Sequence, residues 1–200
     1  MDRQIVISIG REYGSGGHEI GMKLAEKLGI EFIDRSLLAS IAENTDLSYE
    51  TFEKYDEKPK KIFSRTVRGY SNSPEQNVAE LQFSLLKSKA VRDDSFVIVG
   101  RCSDELFKEI CPCISIFISA ERRDKVKRVM KRTEKSEKEA GKLIDKVDKT
   151  RASYHDYYCK SKWGMSSSYD ICINSSVLGI DGSVEFLYSF VKSYLSKFNK

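Results

Sequence analysis

The chain has 200 residues, 40% of them apolar, with 34 basic against 30 acidic side chains and a net charge of +4. That is enough apolar material for one sizeable core, so a single compact domain over 1–200 is expected and disorder is not. The near balance of charge argues against a nucleic-acid-coating surface while allowing local anion sites, and no apolar run approaches the ~20 residues that span a bilayer.

The chain opens with "MDRQIVISIG", which lacks the basic-then-apolar layout of a signal peptide, and a cytoplasmic location is expected. Gln4 to Ile9 reads as a first strand. It runs into "GREYGSGGHEIG", where Gly14, Gly16 and Gly17 fall within four residues just before a helical pattern. Such a turn lets backbone N–H groups and a helix N-terminus face an anion, because no side chain blocks the approach. Gly14, Ser15, Gly16, Gly17, His18 and Glu19 are therefore the candidate donor-phosphate loop. The pattern G-x-x-x-x-G-K-S/T is not met. In one register Gly17 takes the lysine position, and in the next His18 takes it, with Glu19 on the Ser/Thr position that would hold magnesium. Arg11, a permanent cation directly after the strand, is the expected substitute for the lysine.

Ile20, Leu24, Ala25 and Leu28 then share one helix face, and Gly29 stands where a helix would stop. Glu31 to Ile33 is a second strand, closed by Asp34 and Arg35. Either of these could meet an acceptor, and Asp34 equally suits a helix start before "RSLLASIA". Residues 43–94 are polar and charged at first and end in an expected helix around Val78 to Val91; this stretch reads as an acceptor-binding insertion. Phe96 to Val99 is the third strand. Arg101 follows it in a buried setting, where a charge needs either a salt bridge, to Asp34 or Asp104, or a ligand.

Ile114 to Ile118 is the fourth strand. In "ERRDKVKRVMKR" after it, Val126, Val129 and Met130 mark one helix face, which sends Lys125, Arg128 and Arg132 together onto the opposite one. Residues 131–155 are the expected lid region, opening on the charge-rich stretch from Lys131 to Lys149, which is either a solvated helical hairpin or a flap over phosphates. His155, in "SYHDYY", is expected to pack among aromatics, and Trp163 to anchor the loop before the last strand, Asp170 to Ile173. Val184, Leu187, Tyr188, Val191, Tyr194, Leu195 and Phe198 then follow helical spacing along the sheet. Strands separated by helices imply a five-stranded parallel sheet covered on both faces, with ligands beyond the strands' carboxyl ends.

The five cysteines are scattered, with no paired C-x-x-C groups, and Cys172 is expected in the core. Cys111-Pro-Cys113 reads as ordinary packing, and no protein-held metal site is expected.

Four blocks in order, "ISIGREYGSGGHEIGMKLAEKLGIEFIDRSLL", "FVIVGRCSDEL", "ISIFISAERRDKVKRVMKR" and "TRASYHDYYCKSKWGMSSSYDICINSSVLGID", resemble the cytidylate kinase-like family. These are P-loop relatives of bacterial CMP kinase in which an "ISIGREYGSGG" type of opening replaces the usual loop. The resemblance implies a nucleoside monophosphate kinase fold, ATP and Mg2+ as cofactors, and CMP or dCMP as acceptor. CMP kinases end the third strand in Gly-Arg-Asp to handle the acceptor. Gly100 and Arg101 match, Cys102 departs, and Asp104 lies two residues on. The lid arginines correspond to Arg128, Arg132 and Arg151. Phosphoryl transfer asks for positioned positive charge more than for a covalent nucleophile, which suits a chain rich in arginine and poor in histidine. Two other readings stand beside this kinase: a nucleotide-binding regulatory module without turnover, and a kinase for a different small-molecule acceptor.

Overall fold

The structure, a computed structural model, describes residues 4–36, 54–58, 66–67, 70–71 and 73–197. Strand β1 (Val6–Arg11) enters helix α1 (Gly17–Leu28) through the glycine turn, and β2 (Glu31–Ile33) follows. A two-residue pair, β3 (Thr66–Val67) and β4 (Tyr70–Ser71), precedes α2 (Pro74–Val91) and β5 (Phe96–Val99). Then come α3 (Ser103–Phe107), β6 (Cys113–Ser119), α4 (Arg122–Thr133), α5 (Glu137–Tyr158), β7 (Ile171–Asn174) and α6 (Ser175–Ser196).

The main sheet has five strands in the order β2-β5-β1-β6-β7, every pair parallel. Central β1 is buried on both faces, which is why it reads as a nearly unbroken apolar run rather than an alternating one. On one face Ile20 and Leu24 of α1 and Val184, Leu187 and Val191 of α6 cover Ile7, Ile9 and Ile116. On the other, Val78 and Leu86 of α2 and Phe107 of α3 cover Val6, Phe96 and Ile98. The expected fold, a doubly covered parallel sheet, is the observed one. No helix among the described residues is long and apolar enough to cross a membrane.

Local signals account for several boundaries. Gly29 ends α1 in the left-handed region (φ 68°), with the N–H of Ile30 returning to the carbonyl of Ala25. Ser136 and Glu139 form a reciprocal capping box at the start of α5. Residues 131–149 are thus the end of α4, a short turn and the first half of α5. Val126, Val129, Ala140 and Ile144 pack these two helices together.

Two expectations are corrected. Cys172 is exposed, not core, because β7 is an edge strand whose alternation buries Ile173 and turns Cys172 outward. Lys125 does not share a solvated face with Arg128 and Arg132: it is buried, and its Nζ meets Glu12 Oε2 at 2.9 Å. Much of the stretch 43–94, and Phe198 at the end of the last helical pattern, lie outside the described residues.

Candidate active site

Beyond the carboxyl ends of the strands lies a cleft of about 1160 Å³. Among the described residues that line it, nine are Arg or Lys and five are Asp or Glu, so it favours an anion.

One wall is the glycine turn. Gly14 (φ 82°) and Gly16 (φ 84°) lie in the left-handed region, and a side chain on Gly17 would meet the Cβ of Arg11 at 2.6 Å. These positions need glycine for backbone shape and for closeness to neighbouring elements. The α1 ladder opens with the Ile20 N–H donating to the carbonyl of Gly16. The amides of Gly17, His18 and Glu19 therefore stand ahead of it, at the positive end of the helix dipole. Ser15 is turned inward: its hydroxyl donates to the carbonyl of Glu12, its own carbonyl accepts from Ser175 Oγ at 2.6 Å, and it shapes the turn without lining the cleft.

The cations are not arranged as expected. The Arg11 side chain starts against Gly17, but its guanidinium turns away from the glycine turn, and Nη1 donates to Glu57 Oε1 at 2.9 Å. The guanidinium that reaches the turn is that of Arg128, whose Nη1 donates to the Gly14 carbonyl at 3.1 Å. Arg132 lies 4.6 Å and Arg151 5.6 Å from the centre of the Tyr13 ring, a cation–π arrangement at the mouth of the turn. His18 Nε2 pairs with Asp34 Oδ2 at 3.0 Å, and Glu19 pairs with Lys23 one turn along α1 at 3.1 Å. Asp34 also accepts from the backbone N–H of Ser36 at 2.9 Å, the geometry of a helix start.

The opposite wall gathers Arg11, Arg35, Arg101 and Arg151, all expected from sequence, onto Asp56 and Glu57, which sequence reading missed. Gly100, Arg101 and Cys102 are successive left-handed residues after β5, with φ of 82°, 67° and 53°. Two of them are not glycine, so strain is stored in the turn that drives Arg101 inward. Arg101 is 2% exposed, and its hydrogen bonds go to Glu57 and Asp56, while Asp34 adds to the negative charge around it. Its Nη1 donates to Glu57 Oε1 at 2.7 Å and its Nη2 to Asp56 Oδ2 at 2.8 Å. Arg151 Nε lies 3.4 Å from Glu57 Oε2, and Arg35 Nε 3.3 Å from Asp56 Oδ2. Asp104 is corrected as well: it does not line the cleft but meets His155 Nε2 at 3.0 Å behind Arg101. His155 is buried beside Tyr154, Trp163 and Tyr169, as expected, and it also serves as this hydrogen-bonding partner.

Burial works to raise the pKa of the Glu57 carboxyl, but the Arg11, Arg101 and Arg151 guanidiniums outweigh it and hold the group far below the ordinary carboxylate range. Burial first, and then the charge of Arg11, bring the Arg151 pKa down to about 10. Four guanidiniums on two carboxylates leave a surplus of positive charge at the inner end of the cleft. The demand of buried Arg101 for a partner could be read from sequence, but its choice of Asp56 and Glu57 could not.

Residues 6–177 match the profile of the cytidylate kinase-like family. The chain belongs to that family. An uncharacterized protein from Eubacterium ventriosum, known from a crystal structure, shares 36% identity with this cytidylate kinase-like chain at a TM-score of 0.77, covering 95% of this chain and 99% of the other. Shikimate kinase from Bacteroides thetaiotaomicron is 16% identical at a TM-score of 0.57, with 94% and 98% covered. Shikimate kinase from Acinetobacter baumannii, in complex with shikimate, is 12% identical at 0.55, with 98% and 94% covered. These two show the fold, and no curated protein matches the chain. The family match spans β1 to the start of α6, so the glycine turn, the Arg101 turn and the α4–α5 pair all fall within a kinase-like framework.

Proposed function

We propose that this cytidylate kinase-like protein transfers the terminal phosphoryl group of ATP to a nucleoside monophosphate, with CMP or dCMP as the acceptor by family analogy. One observation carries the reading: a single anion-favouring cleft has a glycine turn at a helix N-terminus on one side and a guanidinium cluster on the other. The donor phosphates sit on the amides of Gly17, His18 and Glu19, with Gly14 and Gly16 giving the backbone its path and Ser15 holding the turn from below. Arg128 supplies the cation that the missing lysine would have given. Arg132, from the lid region, meets the charge that develops on the transferring group.

The acceptor phosphate enters on the side of Arg11, Arg35, Arg101 and Arg151, where the charge surplus favours an incoming anion. A phosphate oxygen already carries its nucleophilic electron pair, so no general base is required of the protein. Mg2+ supplies charge neutralisation at the donor phosphates. Glu19 and Asp34, carboxylates beside the glycine turn, are the oxygen donors that would face it. Five free thiols fit a reducing compartment, and a cytoplasmic enzyme is part of the same reading.

A second reading, a different small-molecule acceptor, is favoured by Asp56 and Glu57, which seat carboxylates on the acceptor-side arginines. The test is purified protein with Mg-ATP and a panel of nucleoside monophosphates plus shikimate, following ADP formation. Turnover with CMP or dCMP is expected. Turnover with shikimate alone would favour the second reading. ATP binding without any turnover would favour a regulatory module, and no ATP binding would overturn the proposal.

A further inference from the structure

Behind the cleft, on the side of Arg101 away from the glycine turn, three side chains with metal-binding chemistry converge, and a fourth lies in the same buried cluster as one of them. Cys102 and Asp104 come from the turn after β5 and the first turn of α3, while His155 and Cys159 lie four residues apart at the end of α5. One ligand atom each from Asp104, His155 and Cys159 falls within a mutual 4.8 Å. Cys102 belongs to the same buried cluster as Cys159, so a second sulfur donor stands beside the three. Cys102, His155 and Cys159 are buried and Asp104 is half-buried, and the neighbouring cavity lined by Cys102, Asp104 and His155 is small, about 20 Å³.

An ion pair between Asp104 and His155 would by itself satisfy those two groups. It leaves unexplained why two thiols are gathered into one buried cluster beside it, one of them at the position where CMP kinases carry aspartate. Two sulfurs, an imidazole nitrogen and a carboxylate oxygen make a borderline-soft, four-donor set, the class that selects zinc over magnesium or calcium. The Asp104 to His155 distance of 3.0 Å is close to the roughly 3.3 Å between ligand atoms in a tetrahedron with bonds of about 2.0–2.1 Å. The pattern Cys-x-Asp with His-x-x-x-Cys lies on two segments brought together by folding, so a search for paired cysteines passes over it.

We propose that Cys102, Asp104, His155 and Cys159 form a structural site for one zinc-class divalent ion. With all four positions taken by protein, the ion has no open place for substrate or water, and it does not enter the reaction. Its work is mechanical. Cys102 directly follows Arg101, and His155 lies one helical turn beyond Arg151, so the ion pins together the two segments that carry these cleft arginines. The site stands independently of which acceptor the cleft takes.

The test uses full-length, tag-free protein purified from zinc-supplemented cells, with metal content measured by mass spectrometry after desalting. Wild type is expected to retain about one zinc per chain. Cys159→Ser should lose at least about tenfold, while Cys172→Ser, which removes an exposed thiol that is not one of the four, keeps its metal. Because Cys159→Ser could also fail to fold, cobalt is exchanged into wild type as a second measurement. Thiolate-to-cobalt absorption in the near ultraviolet, with strong visible bands, reports tetrahedral sulfur ligation. Wild-type protein with less than about 0.1 zinc per chain and no such absorption would overturn the proposal. So would metal retained unchanged in Cys159→Ser, or a disulfide between Cys102 and Cys159 in protein isolated without reductant.

Discussion

Glu57 Oε1 accepts hydrogen bonds from both Arg11, at 2.9 Å, and Arg101, at 2.7 Å, so a single carboxylate oxygen ties the end of β1 to the turn after β5. The same carboxylate balances Arg151 on α5 through its other oxygen. Three segments distant in sequence are thereby held in one electrostatic arrangement around the inner end of the cleft.

Replacing Glu57 by Gln leaves these buried guanidiniums short of charge and should destabilise the protein by about 3–5 kcal/mol at neutral pH, read by urea unfolding. The sign of the pH dependence follows from the depressed pKa. The carboxylate stabilises the fold fully above its ordinary value of 4.5 and loses that contribution as pH falls toward the lower folded value. The stability gap between wild type and Glu57→Gln should therefore shrink as pH is lowered from 6 toward 3. A constant gap would mean that charge at Glu57 is not what the variant removes.

Arg128→Ala should weaken ATP binding by about tenfold or more, the loss of one charge-assisted contact, whereas Arg11→Ala should leave it within about twofold and instead raise the acceptor KM. Calorimetric titration with ATP separates the two variants. Equal losses would return Arg11 to the donor side.

Arg132→Ala should lower kcat at least about tenfold with ATP affinity nearly intact, the pattern of a contact made in the transition state. Its partner Tyr13 offers a graded check. Tyr13→Leu removes the ring beneath Arg132 and should give a smaller loss in the same parameter. Parallel losses in ATP affinity would place Arg132 in ground-state binding.

Gly16→Ala places an alanine at φ 84° with its methyl against Ile180 Cδ1. About 1–2 kcal/mol of stability should be lost to the left-handed backbone, together with most ATP binding. Gly29→Ala is the control: φ is 68° but the space around it is open, so stability falls by about 1 kcal/mol while ATP binding holds. Differential scanning calorimetry with and without ATP distinguishes a damaged loop from a merely less stable fold.

Much of the architecture was legible because it is written in short-range terms. The apolar run of β1 marks a strand buried on both faces, the spacing of Ile20, Leu24 and Ala25 marks the buried side of α1, and Gly29 marks its end. The glycine turn was legible as well, since three glycines between a strand and a helix leave the backbone open to an anion. Cys172 was misread because alternation on an edge strand has two possible phases, and only the neighbours of β7 decide which one faces the core. Lys125 was misread because helix periodicity gives an angle and not a partner. Glu12 and Asp148 sit where that lysine turns inward.

The sequence by itself determined the alternation of strands and helices, the glycine turn at the first strand's end, and the presence of arginines at the strand ends and on α4 and α5. Those follow from local backbone preferences and periodic burial, which act over a few residues. Only the tertiary structure decided what each charge meets. Arg101 finds Glu57 across 44 residues, Arg128 reaches Gly14 across 114, and Asp104 and His155 meet across 51. No local pattern selects among several equivalent carboxylates or cations. The choice is made by packing, which buries one candidate beside its partner and leaves the others in water, where a charge needs no partner.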